Sequence, residues 1–400
     1  MALVEVRDLK VHFKIQNGWV KAVDGVSFEI ERGGTMGLVG ESGCGKTTAA
    51  YAITQLLPPN GYIKGGQIFY KEPPRVTSYR REYDSKLGDS PKAREKEILG
   101  LRKRLQKLES GPRNAQTDAE VNDLGLRLAS LEYSYDLLGK SKHKDGRLDE
   151  FNDEIRKIRW KEISMIFQGA MNAFNPVFKI GDQIVEAIQL HEDVDDDEAR
   201  KRARQLFSFV GIPEDRIDNY PHEFSGGMKQ RAMIALALAL SPSFIIADEP
   251  TTALDVITQD RILVEIKKLQ EKLNMAMMII THDVSVVAEV SDKIAVMYAG
   301  KIMEIGKTVH VFKNTAHPYT AGLLGSFPSI MGPKTRLVSI PGFPPDLVNP
   351  PSGCTFHPRC GYAQDICSKK VPPAIEIEPG HLSYCLFANE LWDKLKRGVK

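Results

Sequence analysis

The 400-residue chain has no apolar run long enough to cross a membrane. Its longest apolar-rich stretches, near Ala232–Leu240 and Met275–Ile280, fall well short of the roughly 20 residues such a helix needs. It also lacks a charge excess of either sign: 54 Lys and Arg face 52 Asp and Glu, a net +2. That balance excludes a broad basic field for nucleic acid and a solvating acidic tail. The start, Met1-Ala2-Leu3-Val4-Glu5-Val6, has neither the basic residues nor the apolar core of a secretory signal. A cytosolic location is expected, with any membrane association made through a partner. Cysteine is scarce too, at five residues, but four of the five crowd into positions 354–385. In a reducing compartment that crowding points to a metal or cluster rather than to disulfides.

The most informative feature present is Gly40-Glu41-Ser42-Gly43-Cys44-Gly45-Lys46-Thr47, a Gly-x-x-x-x-Gly-Lys-Thr pattern. It comes after the apolar run Met36–Val39 and precedes a helix-like run ending at Pro58-Pro59. A glycine-rich turn lets successive backbone N–H groups face an anion, and the helix after it adds the positive end of its dipole. The expected phosphate cradle comprises Gly40, Ser42, Gly43, Cys44, Gly45, Lys46, Thr47 and Thr48, with Cys44 contributing backbone only. Lys46 would reach the β- and γ-phosphates, and the Thr47 hydroxyl would ligate Mg²⁺.

Around this loop, residues 1–70 read as short strands: Leu3–Val6, Val20–Val26, Ser27–Ile30, Met36–Val39 and 65–70. Between about Glu72 and Gly146 charge dominates, and apolar residues adopt helical spacing. Ile98, Leu101, Leu105 and Leu108 form one seam; Val121, Leu124, Leu128, Leu131, Tyr135 and Leu138 form another. Turn chemistry at Ser110–Asn114 separates them, and Thr117-x-x-Glu120 reads as a capping box. The expectation is an inserted antiparallel helical hairpin over 72–146, with arms of about 30 Å. A strand at Ile163–Phe167, helices from Ile180 to Gly211, buried strands at 244–249 and Met277–Thr281, and a proline-rich segment from Leu337 complete the pattern. Acidic Asp193–Glu198 reads as a solvated helix start.

Motifs downstream of the loop narrow its meaning. Phe224-Ser225-Gly226-Gly227-Met228-Lys229-Gln230-Arg231 opens an apolar helix; Asp248-Glu249 ends a buried strand; then come Ala253-Leu254-Asp255 and His282, while Gln168 ends the earlier strand. With these motifs in order, nearly the whole chain outside the insert resembles the ATP-binding subunit of an ABC transporter. His317-Pro318-Tyr319-Thr320 with Leu323-Leu324, the Gly-Glu-Ser-Gly loop, Phe-Ser-Gly-Gly-Met and Asn175-Pro176 resemble the dipeptide, oligopeptide and nickel importer branch. Gly169-Ala170 departs from that branch's usual Asp-Pro, and 72–146 greatly exceeds its short connection, which makes the insert a candidate docking arm.

The resemblance implies an α/β P-loop nucleotide-binding domain over 1–325, with a mixed sheet, an antiparallel N-terminal subdomain and a helical subdomain. A Cys-rich C-terminal domain would occupy 326–400. The resemblance also implies Glu249 as general base, His282 at the γ-phosphate and holding Glu249 and the water in place, Gln168 sensing Mg²⁺ and the attacking water, and Asp248 holding Mg²⁺ with Thr47. Lys46 belongs to the catalytic set. Ser225, Gly226 and Gly227 would close on ATP held by another subunit's loop, with Asp255 packing across the seam. Phe13, or alternatively Trp19, would stack on adenine. Cys354, Cys360, Cys367 and Cys385 satisfy either tetrahedral zinc or a four-iron cluster by donor chemistry; the resemblance implies a 4Fe-4S cluster. His357, inside this loop, reads as a surface histidine, with competition as a ligand the alternative.

The expected cofactors are therefore ATP, Mg²⁺ and that cluster, with zinc as its alternative. The expected partners are a related second ATPase subunit in a heterodimer, two permease subunits and an extracytoplasmic substrate-binding protein, at the cytoplasmic face of the membrane. Neither nucleic acid nor the cargo would touch the chain. The implied function is ATP hydrolysis powering uptake of peptides or related small solutes, oligosaccharides among them. The competing class is a non-transport ABC ATPase acting on nucleic acid or ribosomes.

Overall fold

The computed structural model describes residues 2–70, 91–110, 117, 120, 121, 124, 135–136, 158–169, 173–250, 256–326 and 340–396. Two sheets carry the fold. The first is antiparallel, in the order β2-β1-β4-β5, from β1 (Ala2–Ile15), β2 (Gly18–Glu31), β4 (Gly61–Tyr70) and β5 (Tyr135–Asp136). The runs Val20–Val26 and Ser27–Ile30, separate in the sequence pattern, are one strand, because β2 keeps its pairing with β1 along its whole length.

The second sheet runs β11-β12-β10-β9-β3-β8-β7-β6. At its centre are β3 (Thr35–Val39), β6 (Ile163–Ile166), β7 (Phe244–Asp248), β8 (Ala276–Thr281) and β9 (Lys293–Tyr298), all mutually parallel. Every residue of β3, β7 and β8 is buried, as expected of parallel strands covered on both faces. β10 (Lys301–Lys307) turns back antiparallel on β9, and β12 (His381–Ser383) and β11 (Ile375–Glu378) extend that edge. The tail strands thus add to the main sheet.

The sheets and their helices enclose three apolar cores. One joins the antiparallel sheet to helix Lys46–Thr54 and the face of β3 and β8. A second packs helices Ile180–His191, Asp196–Phe209 and Gly226–Ala237 against β6 to β8. A third lies between β9, helix Pro318–Gly325 and Phe356. In helix Asp196–Phe209 the buried Ala199, Ala203 and Phe207 recur every four residues. The acidic stretch is indeed its start: Asp195 accepts from the Glu198 N–H at 2.8 Å.

The insert departs from expectation in two places. Helix Pro91–Glu109 stands where the first arm is expected, with Leu101 buried and Leu105 half-buried. Thr117 is already helical rather than the residue before the helix, and Arg104 bonds Glu120 at 2.6 Å. Tyr135 is not on a helical seam: it pairs with Tyr70 in β5. The exposed edge of β4 offers unpaired backbone groups there, and an aromatic suits a strand as well as a heptad position. Leu128, Leu131, Leu138 and the complete hairpin lie outside the described residues.

Candidate functional site

Four candidate groups meet because four neighbouring parallel strands end together. Register pairs Val39 with Thr281, Asp248 with Ile280, and Ile166 with Ala247. The chain therefore leaves β3 into Gly40, β7 into Glu249, β8 into His282 and β6 towards Gln168 at one edge, the carboxyl end where open α/β sheets bind ligands.

The loop between β3 and helix Lys46–Thr54 depends on its glycines. Gly45 has φ +104, and a Cβ there would lie 2.1 Å from the Ala22 carbonyl oxygen. At Gly40 a Cβ would lie 2.1 Å from the Met297 carbonyl oxygen. Ser42 and Gly43 are exposed, Cys44 is buried, Thr47 and Thr48 are half-buried. The Lys46 ammonium bridges the loop, donating to the carbonyls of Gly40 at 2.8 Å and Glu41 at 3.0 Å. Burial pushes the Cys44 thiol up, which keeps it protonated and inert.

Thr47 donates its hydroxyl to Asp248 Oδ1 at 3.2 Å. Asp248 is fully buried, and its Oδ2 has no hydrogen-bond partner among the described residues. Burial drives its carboxyl up; the Thr47 hydroxyl opposes this and the neighbouring Glu249 charge adds to it. An orphaned, buried carboxylate oxygen beside a threonine hydroxyl suits a hard divalent cation.

Glu249 is gripped on both oxygens. Gln168 donates to Oε2 at 2.8 Å, and His282 Nδ1 lies 3.2 Å from Oε1. The Glu249 backbone sits at φ +46, a sparsely allowed conformation for a residue with a Cβ, while its N–H donates to the Ile280 carbonyl at 2.8 Å. A carboxylate clamped by a neutral donor and an imidazole can orient a water molecule and take its proton.

The structure places other candidates elsewhere. Ser225 caps helix Gly226–Ala237, accepting from the Met228 N–H at 3.3 Å, and stands exposed with Gly226 on the helical layer. Phe13 is half-buried on β1 beside Gly61. Trp19 meets Tyr62 edge-on at 5.0 Å, and the Lys64 ammonium lies 3.9 Å from its ring centre. Asp255 and Ala170 lie outside the described residues.

The four tail thiols line one apolar cavity with Phe356, Phe387 and Leu391. Burial raises the thiols of Cys354, Cys360 (to about 11) and Cys385 (to about 12), and repulsion among the four adds to it. No three of the sulfurs lie mutually within 4.8 Å. His357 is turned to the Cys354 carbonyl, 2.9 Å from Nδ1.

One set of contacts was not legible as function. Arg359, beside Cys360, donates to the Glu41 carboxylate of the phosphate loop at 2.8 Å and to the Tyr298 hydroxyl at 3.2 Å. The Glu41 N–H in turn donates to the Tyr319 hydroxyl at 3.0 Å. The Cys-rich tail thereby braces the loop across 318 residues of chain. No motif spacing signals such a contact.

Residues 23–129 and 135–252 match the family described as ABC transporter, and residues 303–367 match the oligopeptide/dipeptide transporter C-terminal region. The oligopeptide transport ATP-binding protein OppD of Bacillus subtilis (strain 168) is 38% identical over 383 residues, covering 95% of this chain and 87% of its own length. OppD of Escherichia coli (strain K12) is 37% identical, covering 96% and 93%. The dipeptide transport ATP-binding protein DppD of Caldanaerobacter subterraneus is 34% identical, covering 94% of each. Among solved structures, the dimeric post-hydrolysis ATP-binding cassette MJ0796 bound to ADP and Pi aligns with a TM-score of 0.51 at 21% identity, over 76% of this chain and 98% of that one. That likeness shows the mixed-sheet cassette fold.

Proposed function

From the premise that this chain belongs to the ABC transporter family, in its oligopeptide/dipeptide branch, we infer how its residues divide the work. It is the ATP-binding subunit of a peptide importer, and its hydrolysis of ATP is coupled to transport. The non-transport reading is not favoured by relatives named for peptide transport.

The observation that carries the catalytic assignment is the double grip on Glu249 beside the phosphate loop. The loop amides and Lys46 bind the phosphates, and Phe13 stacks on adenine. Thr47 and Asp248 would hold Mg²⁺, whose charge offsets that of the phosphoryl group in transfer. Glu249 accepts a proton from water as the water oxygen bonds the γ-phosphorus, and the β–γ bridging oxygen leaves with ADP carrying the bond pair. Gln168 and His282 hold the carboxylate and water in line. Ser225, Gly226 and Gly227 complete the site of a second subunit; membership of this branch, and not the residues themselves, makes that subunit a related ATPase and the pair a heterodimer at the cytoplasmic face of the membrane. Permeases dock on the surface after Gln168, where Val177 and Phe178 are exposed; the 72–146 insert is an added docking arm.

Glu249→Gln should retain ATP binding while the assembled complex loses turnover by about 10²-fold or more. Wild-type hydrolysis by that variant, measured as phosphate release, would remove Glu249 from the role.

We assign the four cysteines a structural 4Fe-4S cluster. The reading rests on the four-thiol donor set, which one apolar cavity gathers. Anaerobically purified protein should contain about four irons and four sulfides per chain; zinc in their place would overturn the assignment.

A further inference from the structure

A second group of ligand-type side chains lies away from both the phosphate loop and the cysteines. His310 comes from helix Thr308–Lys313, Glu378 ends β11 and His381 begins β12. One ring nitrogen of each histidine and one Glu378 oxygen all lie within 4.8 Å of one another. We propose that His310, Glu378 and His381 form a binding site for a divalent transition metal ion, Zn²⁺ being the best match, which pins the tail strands to the main sheet.

The state of the imidazoles carries this. His381 is fully buried, and its Nε2 lies 2.7 Å from Oε1 of Glu304, also fully buried. Glu304 is itself fixed by the Ala316 and His317 N–H groups at 2.8 and 3.1 Å. A carboxylate so placed holds the proton on Nε2 and leaves Nδ1 with a free lone pair, the tautomer arrangement of a metal-ligating histidine with its supporting carboxylate. That Nδ1 is buried and has no hydrogen-bond partner among the described residues. An ordinary core histidine would satisfy both nitrogens.

His310 Nδ1 lies 3.1 Å from Glu378 Oε2 but off the line of a hydrogen bond, so it too is buried without a hydrogen-bond partner among the described residues. A simple His–Glu ion pair would explain these two residues and leave His381 Nδ1 unexplained. A shared cation accounts for all three atoms at once. Asn314 Nδ2 orients Glu378, at 3.5 Å. Gly306 leaves room for the His381 ring, since a Cβ there would approach Cδ2 to 2.9 Å.

Two imidazoles and one carboxylate favour a borderline ion over Mg²⁺ or Ca²⁺. His310 and Glu378 keep side-chain exposures of 34% and 27%, which gives the ion a path in and water as its fourth ligand. With ligands on a helix and two strands distant from it in sequence, the ion would staple β11 and β12 in place.

The test is calorimetric titration of ZnCl₂ into the full chain purified without added metal, repeated for His310→Gln, Glu378→Gln and Cys385→Ser. One zinc should bind at this site, with affinity falling at least about 10-fold in either of the first two variants and persisting in Cys385→Ser. Thermal unfolding with zinc should shift upward in the wild type and not in His310→Gln. Co²⁺ in place of zinc should give the visible bands of a nitrogen–oxygen tetrahedral site, lost in His310→Gln. Zinc affinity unchanged in both His310→Gln and Glu378→Gln, or lost only in Cys385→Ser, would overturn the proposal, as would thiolate-to-cobalt charge transfer accounting for all bound metal. His310 and Glu378 are partly exposed, so their variants keep the fold testable where a His381 variant would not.

Discussion

Arg359 makes the phosphate loop depend on the tail one side chain at a time. Its side chain is 7% exposed and that of its partner Glu41 23% exposed, so the pair is shielded but not dry. The arginine also lies over the Tyr298 ring, 5.5 Å from its centre. Arg359→Met keeps most of the volume and removes the bonds to Glu41 and Tyr298 together with those to the Pro341 and Ile340 carbonyls. The expected result is a loss of about 1–3 kcal/mol of stability, tempered by solvent around Glu41, and weaker ATP binding because Glu41 shapes the loop. Unchanged urea midpoint together with unchanged nucleotide affinity would show that the brace is idle. The catalytic candidates behave differently at this scale. Asp248, Glu249, Gln168 and His282 were each legible by residue type and position, yet a lone glutamine or histidine has little meaning before the contacts to Glu249 are seen.

At the scale of the element, helix Pro318–Gly325 begins with an unusual cap. His317 Nδ1 accepts from the Tyr319 N–H at 3.0 Å, which requires that nitrogen unprotonated. Burial lowers its pKa from 6.5 to about 3. Between those values the unfolded chain takes up a proton that the folded chain refuses, so this residue makes stability fall as pH drops below about 6.5 and continue falling to about 3. His317→Asn keeps an oxygen acceptor at the cap and removes the titration. Its urea midpoint should change less between pH 7.5 and pH 5 than that of the wild type; parallel pH profiles would refute the claim. The sequence pattern did mark this helix, through its His-Pro-Tyr-Thr start, but only as a family signature. The turn at Gly40–Gly45 and the helix after it were legible outright, since φ +104 at Gly45 leaves almost no choice of residue. The strand at Tyr135 was not, because an aromatic in a heptad pattern is compatible with either element until β4 supplies a free edge.

For the whole molecule, Ser225 and Gly226 are exposed, and on the proposed division of work one chain carries two half-sites facing different nucleotides. Ser225→Arg should leave ATP binding by the isolated subunit within about twofold and stop hydrolysis in the assembled transporter, because the charge and bulk fill the approach to the partner's phosphate. Loss of binding in the isolated subunit instead would place Ser225 in the same nucleotide site as Lys46. The same scale explains the tail. β12 pairs with β10, and Arg359 reaches the loop, so the Cys-rich segment is joined to the main sheet by backbone and to the phosphate loop by a side chain.

By itself the sequence determined the phosphate loop, the order of the strands that end in site residues, the four-cysteine set and the family, because each rests on a local constraint: a glycine with positive φ, a run buried on both faces, a fixed spacing of donors. Only the tertiary structure decided that Gln168 joins His282 on the Glu249 carboxylate, that Arg359 holds Glu41, and that His310, Glu378 and His381 meet with Glu304 behind them. Apart from Glu378 and His381, which are near neighbours in the chain, those contacts bring together segments 33 to 318 positions apart, and which side chains converge across such separations is set by sheet register and packing, which leave no periodicity in the chain.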